Sequence, residues 1–436
     1  MATTRWRMLA ILMLVLSLVA TACGGGDDDA DTDGDGGDGG GSAVGVTDDP
    51  CPNAVNADNG CIYLGIISDL TEGPFRALAV PLTDAQKAFW ARVNNDGGIG
   101  GYDIDVETHI KDNKYIPETH KQVFEEIRGD VLGLAQTLGS PQTAAIIQDL
   151  RDDSIVAAPA SWTSAWEFED VIIESGTNYC MEMANAVDWY AEEQAAPTKV
   201  MAIHYPGDYG DDAAAGARLA AERIGAEFVD HPTQPGQENQ SGAVAAIVQE
   251  KPDLVVVTTG PTELATIVGG AASQGFTGKV IGSSPTWNPA LLQTAAAPAL
   301  KAMYFQAGPW GPWGTESAGH AALREAFPDT TPNDGYVAGW VWQYPLKAAL
   351  EKAVEDGNLT REGLLEAVKT LETVDYEGML PEEAGNYAGE PADAVFRQSV
   401  VSQVDDTQPT GVNVVADFFT GPTAEGMAFD KPCFEA

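Results

Sequence analysis

Hydroxyl and aromatic side chains follow two predicted strands of this sequence, in positions where they would meet a ligand. In "LGSPQTAA", Ser140 precedes Pro141, a pattern typical of a helix N-cap followed by the first helical residue. The free N–H groups and the dipole of such a helix start favour a carboxylate or another electron-rich group. An ordinary helix cap with nothing bound is the alternative interpretation.

The second polar loop follows the next predicted strand. "APASWTSAW" places the hydroxyls of Ser161 and Thr163 beside the indoles of Trp162 and Trp166. Aromatic rings next to hydroxyl groups suit a small ligand with an apolar part. The alternative is that a tryptophan here simply fills an interface inside the protein.

Motifs for catalysis and metal binding are missing from the sequence. It contains no G-x-S-x-G, H-E-x-x-H, P-loop or C-x-x-C pattern. The "GGIGG" of residues 97–101 follows a predicted helix and precedes a predicted strand, the reverse of a dinucleotide-binding loop, so we interpret it as a turn. The histidines lack metal-ligand spacing, and we expect surface or structural roles for His109, His120, His204, His231 and His320. We therefore predict no catalytic residue, no cofactor and no metal site.

The elements that would position these loops alternate between short β-branched runs and amphipathic runs. Strands at "CIYLGII", "IDVETHI", "VLGLAQ" and "IVAAPA" are separated by helical patterns, and the alternation restarts near residue 198 with "KVMAIHY". Such alternation predicts an α/β fold with two doubly wound parallel-sheet lobes. A single long helix is predicted over 334–357, and "FRQSVVSQV" and "VNVVADFF" are typical of terminal strands.

The N-terminus has the pattern of an exported protein. Arg5 and Arg7 precede an apolar run over 8–19, which predicts a signal peptide over 1–22 and is too short for a membrane-spanning helix. The following "ATAC" resembles a bacterial lipobox, in which Cys23 would carry the lipid anchor. Cleavage at an ordinary A-x-A site, giving a secreted protein, is the alternative.

Acidic residues dominate the rest of the chain. Residues 23–50 are rich in Gly and Asp and predict an extended tether. The whole chain has a formal charge of −42, which argues against binding to nucleic acid or to anionic lipid through basic residues.

Four cysteines remain after Cys23, an even number that is typical of an oxidising compartment. They allow three pairings. We favour Cys51 with Cys61, in a short loop before the first strand, and Cys180 with Cys433, which would tie the end of the chain to its middle.

The motifs together resemble those of type I periplasmic substrate-binding proteins of the leucine/isoleucine/valine-binding family, the receptors of ABC importers. The likeness is carried, in order, by "LGIISDLTEGPF", "NNDGGIGGYDIDV", "LGSPQTAAI", "HYPGDYGDDAAAGARLAAERIGAEF", "KPDLVVVTTGPTE" and "AASQGFTGKVIGSS". It implies a ligand held between two lobes that close about a hinge of three crossing segments. The implied lobes are 51–178 with 308–372, and 179–307 with 373–436.

The resemblance also implies a set of ligand-binding residues. Ser140, Ser161 and Thr163 would bind a carboxylate, with Trp162 in the same loop, while Tyr209 would stack over the ligand. Phe75 takes the place of an aromatic contact from the first lobe. Thr262 stands in a loop that often supplies a tyrosine to the site.

Position 284 departs from the family pattern. Amino-acid binders place an acidic residue near it to hold the ammonium group, whereas this sequence has Ser284. A carboxylate or amide with an apolar or aromatic body therefore fits better than an α-amino acid, although Glu263 could supply a charge from a neighbouring loop.

The sequence thus predicts a non-catalytic, lipid-anchored, extracytoplasmic receptor that passes a small-molecule ligand to the membrane permease of an ABC importer. A ligand sensor with the same fold and an exported hydrolase are the alternatives.

Overall fold

The computed structural model describes residues 43–435. The predicted signal peptide, Cys23 and most of the predicted tether lie outside these residues. Val46 and Thr47 fall within the last part of the predicted tether, yet they form a strand that pairs antiparallel with Cys61 and Ile62. Across the described range, every helix is too short or too polar to span a bilayer.

The first β-sheet forms from the N-terminal part of the described chain. β2 is its longest strand, and its neighbours β3, β4 and β5 are parallel to it, as β6 is to β5. β1 alone is antiparallel. The strands are β1 (Val46–Thr47), β2 (Gly60–Ser68), β3 (Tyr102–Asp105), β4 (Ile110–Asp112), β5 (Gly133–Leu138) and β6 (Ala157–Ala160).

The second β-sheet has a parallel part and an antiparallel edge. Its spatial order is β13-β12-β11-β10-β9-β7-β8, with parallel pairing from β11 to β8 and antiparallel pairing where β12 and β13 are added. The strands are β7 (Lys199–His204), β8 (Glu227–Pro232), β9 (Leu254–Thr258), β10 (Lys279–Ser283), β11 (Tyr304–Gly308), β12 (Ser399–Val404) and β13 (Val412–Phe419). The expected α/β fold with two parallel-sheet lobes is confirmed.

Helices flank the two sheets. Their bounds are α1 (Arg76–Asn95), α2 (Pro117–Ile127), α3 (Ser140–Ala144), α4 (Ile147–Asp152), α5 (Tyr179–Glu193), α6 (Asp208–Ile224), α7 (Ser241–Glu250), α8 (Pro261–Ser273), α9 (Ala297–Met303), α10 (Ala318–Ala326), α11 (Asp334–Val341), α12 (Gln343–Glu355), α13 (Arg361–Val368), α14 (Pro391–Ala394) and α15 (Pro422–Gly426).

The chain passes between the lobes more than once. After β11, α12 returns to the first lobe, where Gln343 donates from Nε2 to the carbonyl of Ala135 in β5 at 3.2 Å. Arg361, at the start of α13, donates to the carbonyl of Val131 at 2.7 Å. The chain then adds β12 and β13 to the second sheet, so each lobe is built from separate stretches of sequence.

Two predicted helices are broken in the structure. The single helix expected over 334–357 is divided at Trp342 into α11 and α12. Pro345 explains the break, because its nitrogen cannot donate to the carbonyl four residues earlier in a continuous helix. The run "PQTAAIIQDL" likewise forms two short helices, α3 and α4, rather than one.

Both favoured disulfides are present. Cys51 bonds to Cys61, and Cys180 at the start of α5 bonds to Cys433 near the end of the chain. The "GGIGG" segment is a turn as predicted, with a positive φ at Gly97, Gly98, Gly100 and Gly101 immediately before β3.

Candidate functional site

A cavity lies at the carboxyl ends of β5 and β6, between the two lobes. Its free volume is about 70 Å³, and the space between the wall atoms reaches about 650 Å³ when the open mouth is included. Small-molecule sites span about 300–1,000 Å³, so the free space is small and the cavity walls lie close together in this form of the protein.

The apolar wall of the cavity comes from two helices that pack closely. α1 contributes Leu78, Ala79 and Leu82, while α11 contributes Ala338. The short distance between α1 and α11 depends on a glycine of α11, because a Cβ on Gly339 would lie 2.1 Å from the carbonyl oxygen of Leu82 in α1. The resulting wall offers aliphatic contacts over more than one helical turn.

Aromatic rings from both lobes meet over the cavity. Phe75 lies against Tyr115 with ring centroids 4.9 Å apart, and against Tyr209 of α6 at 6.0 Å. Tyr179 stands between Tyr209, at 4.7 Å, and Trp162, at 4.5 Å. The lobes are therefore in contact through these rings.

Several polar atoms of the wall are buried without a hydrogen-bond partner among the described residues. They are the hydroxyl oxygens of Ser140 and Ser284, the indole Nε1 of Trp342 and the carboxyl oxygen Oδ2 of Asp334. Buried polar atoms are normally paired, and a bound molecule commonly supplies the missing partners at a binding site. These atoms thus mark where the polar part of a ligand would sit.

Asp334 carries the ionisable carboxyl group of the cavity wall. Its Oδ1 accepts a hydrogen bond from the backbone N–H of Trp313 at 2.8 Å. Burial raises the pKa of Asp334 to about 6, because the charged form loses its hydration. The described residues of the wall include no lysine, arginine or histidine to balance it.

A second buried carboxyl group lies behind Trp162. Trp162 donates from its indole Nε1 to Oε2 of Glu182 in α5 at 2.7 Å. Glu182 is fully buried, and desolvation raises its pKa to about 8. Since Trp162 lines the cavity, this bond fixes the orientation of part of the wall.

Most of the predicted ligand-binding residues come together in the wall: Phe75, Ser140, Ser161, Trp162, Tyr209 and Ser284. One local prediction is wrong. The N-cap of α3 is Gly139, with φ of 96°, and Ser140 is the first helical residue. Glycine tolerates that backbone conformation, which leaves the Ser140 hydroxyl free of a capping bond.

Other predicted residues lie outside the cavity wall. Thr163 is buried beside it, while Thr262 in α8 donates to Oε2 of Glu263 at 2.8 Å. Glu263 also accepts from the backbone N–H of Gly236 at 2.8 Å, so its carboxylate is already engaged. The nearby Trp166 donates to the hydroxyl of Ser161 at 3.1 Å and packs into the first lobe.

The sequence did not single out Asp334 or Glu182. A glutamate inside the apolar run "CMEMANAV" is a signal that could have indicated a buried acid. Asp334 carries no such signal, because an acid at the first residue of a helix is ordinary.

Metal ligands are not grouped in the cavity. Within residues 43–435, Cys180, Asp212 and Cys433 are the group of ligand-type side chains whose atoms approach closely. The two sulfur atoms form a disulfide and are not available to an ion.

The fold and the cavity can now be set beside known proteins. Residues 62–407 match the sequence model of the family described as periplasmic binding protein. The chain belongs to this family. A comparison of this binding protein with curated protein sequences found no match.

Solved structures of the same fold resemble this binding protein over most of its length. A fatty acid ABC transporter substrate-binding protein from Thermomonospora curvata is 29% identical, with a TM-score of 0.81 over 89% of this chain and 97% of that one. A branched chain amino acid ABC transporter protein from Thermus thermophilus, with bound valine, is 17% identical, with a TM-score of 0.70 over 84% and 98% of the two chains. A leucine binding protein from Thermotoga maritima is 15% identical, with a TM-score of 0.67 over 81% and 97%.

Proposed function

We propose that this protein is the solute-binding receptor of an ABC importer and that its ligand has a slender apolar body and one small polar head group. The observation that carries the proposal is the narrow cavity between the lobes, apolar along α1 and α11 but with unpartnered serine hydroxyls at the strand ends. The fatty acid receptor of T. curvata, at 29% identity, supports an aliphatic ligand.

The head group is a carboxyl or an amide in this proposal. The hydroxyls of Ser140 and Ser284 would donate to its oxygen, with Ser161 and Tyr209 completing the polar end and Thr163 buried next to Trp162. A free α-amino acid is disfavoured in this proposal, because position 284 has no acid and Glu263 already accepts from Gly236 and Thr262. Asp334 is the carboxyl group of the described wall, and it would have to hold the ammonium group without a second carboxylate.

Capture and delivery would use the two lobes. We propose that they comprise 51–178 with 308–372 and 179–307 with 373–436, and that ligand binding holds them closed through the Phe75–Tyr209 contact. The closed form would then dock on a membrane permease, which takes up the ligand. The receptor itself would perform no catalysis.

The N-terminal sequence supports a proposal for the cellular location. We propose that the signal peptide 1–22 is removed and that Cys23 is lipidated, so that an acidic tether holds the receptor at the outer face of the membrane. Mass spectrometry of the mature N-terminus tests this directly. A diacylated Cys23 is expected, and an unmodified N-terminus would indicate a secreted protein instead.

A thermal-shift screen of residues 43–436 tests the ligand class. Decanoate, decanamide, phenylacetate, leucine and valine serve as probes, each at several concentrations. A ligand at 100 times its dissociation constant adds about 2.7 kcal/mol to the free energy of unfolding.

Stabilisation by a probe with an aliphatic chain, but not by leucine or valine, is the expected result. Stabilisation by leucine or valine alone would contradict the ligand class and leave the receptor role intact. Turnover of a bound ester or amide would contradict the receptor role.

A further inference from the structure

The carboxyl group of Asp334 has one engaged and one unengaged oxygen. Oδ1 accepts from the backbone N–H of Trp313 at 2.8 Å. Oδ2 is buried in the cavity wall without a hydrogen bond of normal length and angle, and the side chain of Thr410 is the polar group that lies near this carboxyl. A buried acceptor that lacks a hydrogen-bond donor costs free energy, so a ligand that places a donor next to Oδ2 would bind more tightly.

Asp334 is connected to the turn that carries Ser284 through Thr410 and Trp287. Its side chain lies beside that of Thr410, and the carbonyl of Thr410 accepts from the indole Nε1 of Trp287 at 2.8 Å. Trp287 in turn donates its backbone N–H to the carbonyl of Ser284 at 3.1 Å. An acceptor from one lobe and a hydroxyl-bearing residue, Ser284, from the other therefore line the same cavity.

We propose that Asp334 and Ser284 together recognise a ligand group that both donates and accepts a hydrogen bond. The inference rests on the proposed function, because it requires an apolar ligand in this cavity. A primary amide or a hydroxyl meets the requirement, since each offers a donor to Oδ2 and an acceptor to the serine hydroxyl. An ionised carboxylate only accepts, and it would bring a second negative charge towards Asp334.

An ammonium group meets the requirement less fully, because it has three N–H donors and no acceptor, so the Ser284 hydroxyl would have to accept from it instead of donating to it. Each remaining N–H would need a further acceptor, whereas the adjoining wall from α1 is aliphatic. Asp334 is thus a specificity-determining residue for the uncharged head group of a long-chain amide or alcohol.

Two structural roles of Asp334 must be separated from this one. The residue could act through its bond to the backbone of Trp313, or through a contact between the lobes with Thr410. Asp334→Asn keeps an oxygen for Trp313 but replaces the negative charge with an amide. Thr410→Val removes the neighbouring hydroxyl while keeping the shape of a fully buried side chain.

The test measures, by calorimetry at pH 8, how tightly residues 43–436 bind four probes. These are decanamide, decanol, decanoate and methyl decanoate. The proteins compared are the unmodified chain, Asp334→Asn, Thr410→Val and, as a matched control, Asp329→Asn at an exposed position just before α11. Thermal unfolding without ligand verifies that each variant is folded.

The unmodified chain should bind decanamide and decanol at least about tenfold more tightly than decanoate or the methyl ester, as expected for a hydrogen bond to a charged acceptor. Asp334→Asn should abolish this preference, while Thr410→Val and Asp329→Asn keep it. Three results would each overturn the inference but not the receptor role. The first is that decanoate binds to the unmodified chain as tightly as decanamide does. The others are that Asp334→Asn keeps the preference for decanamide and decanol, or that Thr410→Val loses it. If none of the four probes binds to the unmodified chain, the proposed function fails as well.

Discussion

Replacing Glu182 with glutamine should make the stability of this protein less dependent on pH. Glu182 is fully buried in α5, and its Oε2 accepts the indole N–H of Trp162 at 2.7 Å. Desolvation raises its pKa from 4.5 to about 8. The amide oxygen of glutamine can still accept from Trp162, so the substitution removes the titration and keeps the hydrogen bond.

The sign and size of the effect follow from the two pKa values. The folded protein holds the Glu182 proton up to about pH 8, whereas the unfolded chain releases it near pH 4.5. The stabilising contribution is therefore fully present below pH 4.5 and is lost as the pH rises to 8 and above. A difference of about 3.5 pKa units corresponds to about 5 kcal/mol in total, of which about 4 kcal/mol falls between pH 5 and pH 9.

Chemical denaturation at pH 5, 7 and 9 measures this loss. The unmodified chain should lose about 4 kcal/mol more than Glu182→Gln between the lowest and highest pH. Other buried acids titrate in both proteins and cancel in the comparison. Glu192→Gln, at an exposed position of the same helix, should follow the unmodified chain. Parallel pH curves for the unmodified chain and Glu182→Gln would refute the reasoning, because they would show that Glu182 does not hold a proton in the folded state.

Three further substitutions test the site and its support. Ser140→Ala should weaken binding of an aliphatic probe roughly 2- to 13-fold in calorimetry, because it removes one hydrogen bond to the head group. Gly339→Ala should lower the free energy of unfolding by about 1–3 kcal/mol, since its Cβ would lie 2.1 Å from the carbonyl oxygen of Leu82. Cys433→Ser should destabilise the protein by about 3 kcal/mol more than Cys51→Ser, because the first opens a loop of 253 residues and the second a loop of 10.

Each of these has an outcome that would count against it. Unchanged affinity in Ser140→Ala would remove that hydroxyl from the head-group site. A Gly339→Ala variant as stable as the parent would mean that α1 and α11 can separate freely. Equal losses in the two cysteine variants would show that loop length does not control the contribution of either disulfide.

Hydrophobic periodicity was sufficient to predict most of the elements. Runs such as the one that forms β2 are apolar over their whole length, as required of a parallel strand covered on both faces, so the parallel lobes could be recognised locally. The cysteine pairing was also predictable, because four cysteines allow only three pairings. The favoured one joins the two cysteines that are ten residues apart and leaves Cys180 and Cys433 to connect the middle of the chain to its end. The break at Trp342 was missed, since the apolar pattern continues through it and only Pro345 opposes a straight helix.

The candidate site was predicted in part. Ser140 and Ser161 follow two parallel strands of the first sheet, and Tyr209 follows β7 of the second, so each could be placed at the carboxyl edge of its own sheet. That the two edges meet around one ligand was implied by the family resemblance. The aliphatic wall was not predicted, because it requires α11 to pack on α1 from a distant part of the sequence. The N-cap of α3 was placed one residue late, because a serine before proline suits a cap whereas the structure uses the positive φ of Gly139.

The sequence by itself determined the alternation of strands and helices, the disulfide partners and the hydroxyl-bearing loops, because each depends on residues close together in the chain or on simple counting. Only the tertiary structure decided which of the 65 acidic residues matter to the site. Glu182 and Asp334 differ from the others in their surroundings, since packing removes water from their carboxyl groups and raises their pKa values. That loss of hydration arises only when distant segments come together, which is why no local pattern encodes it.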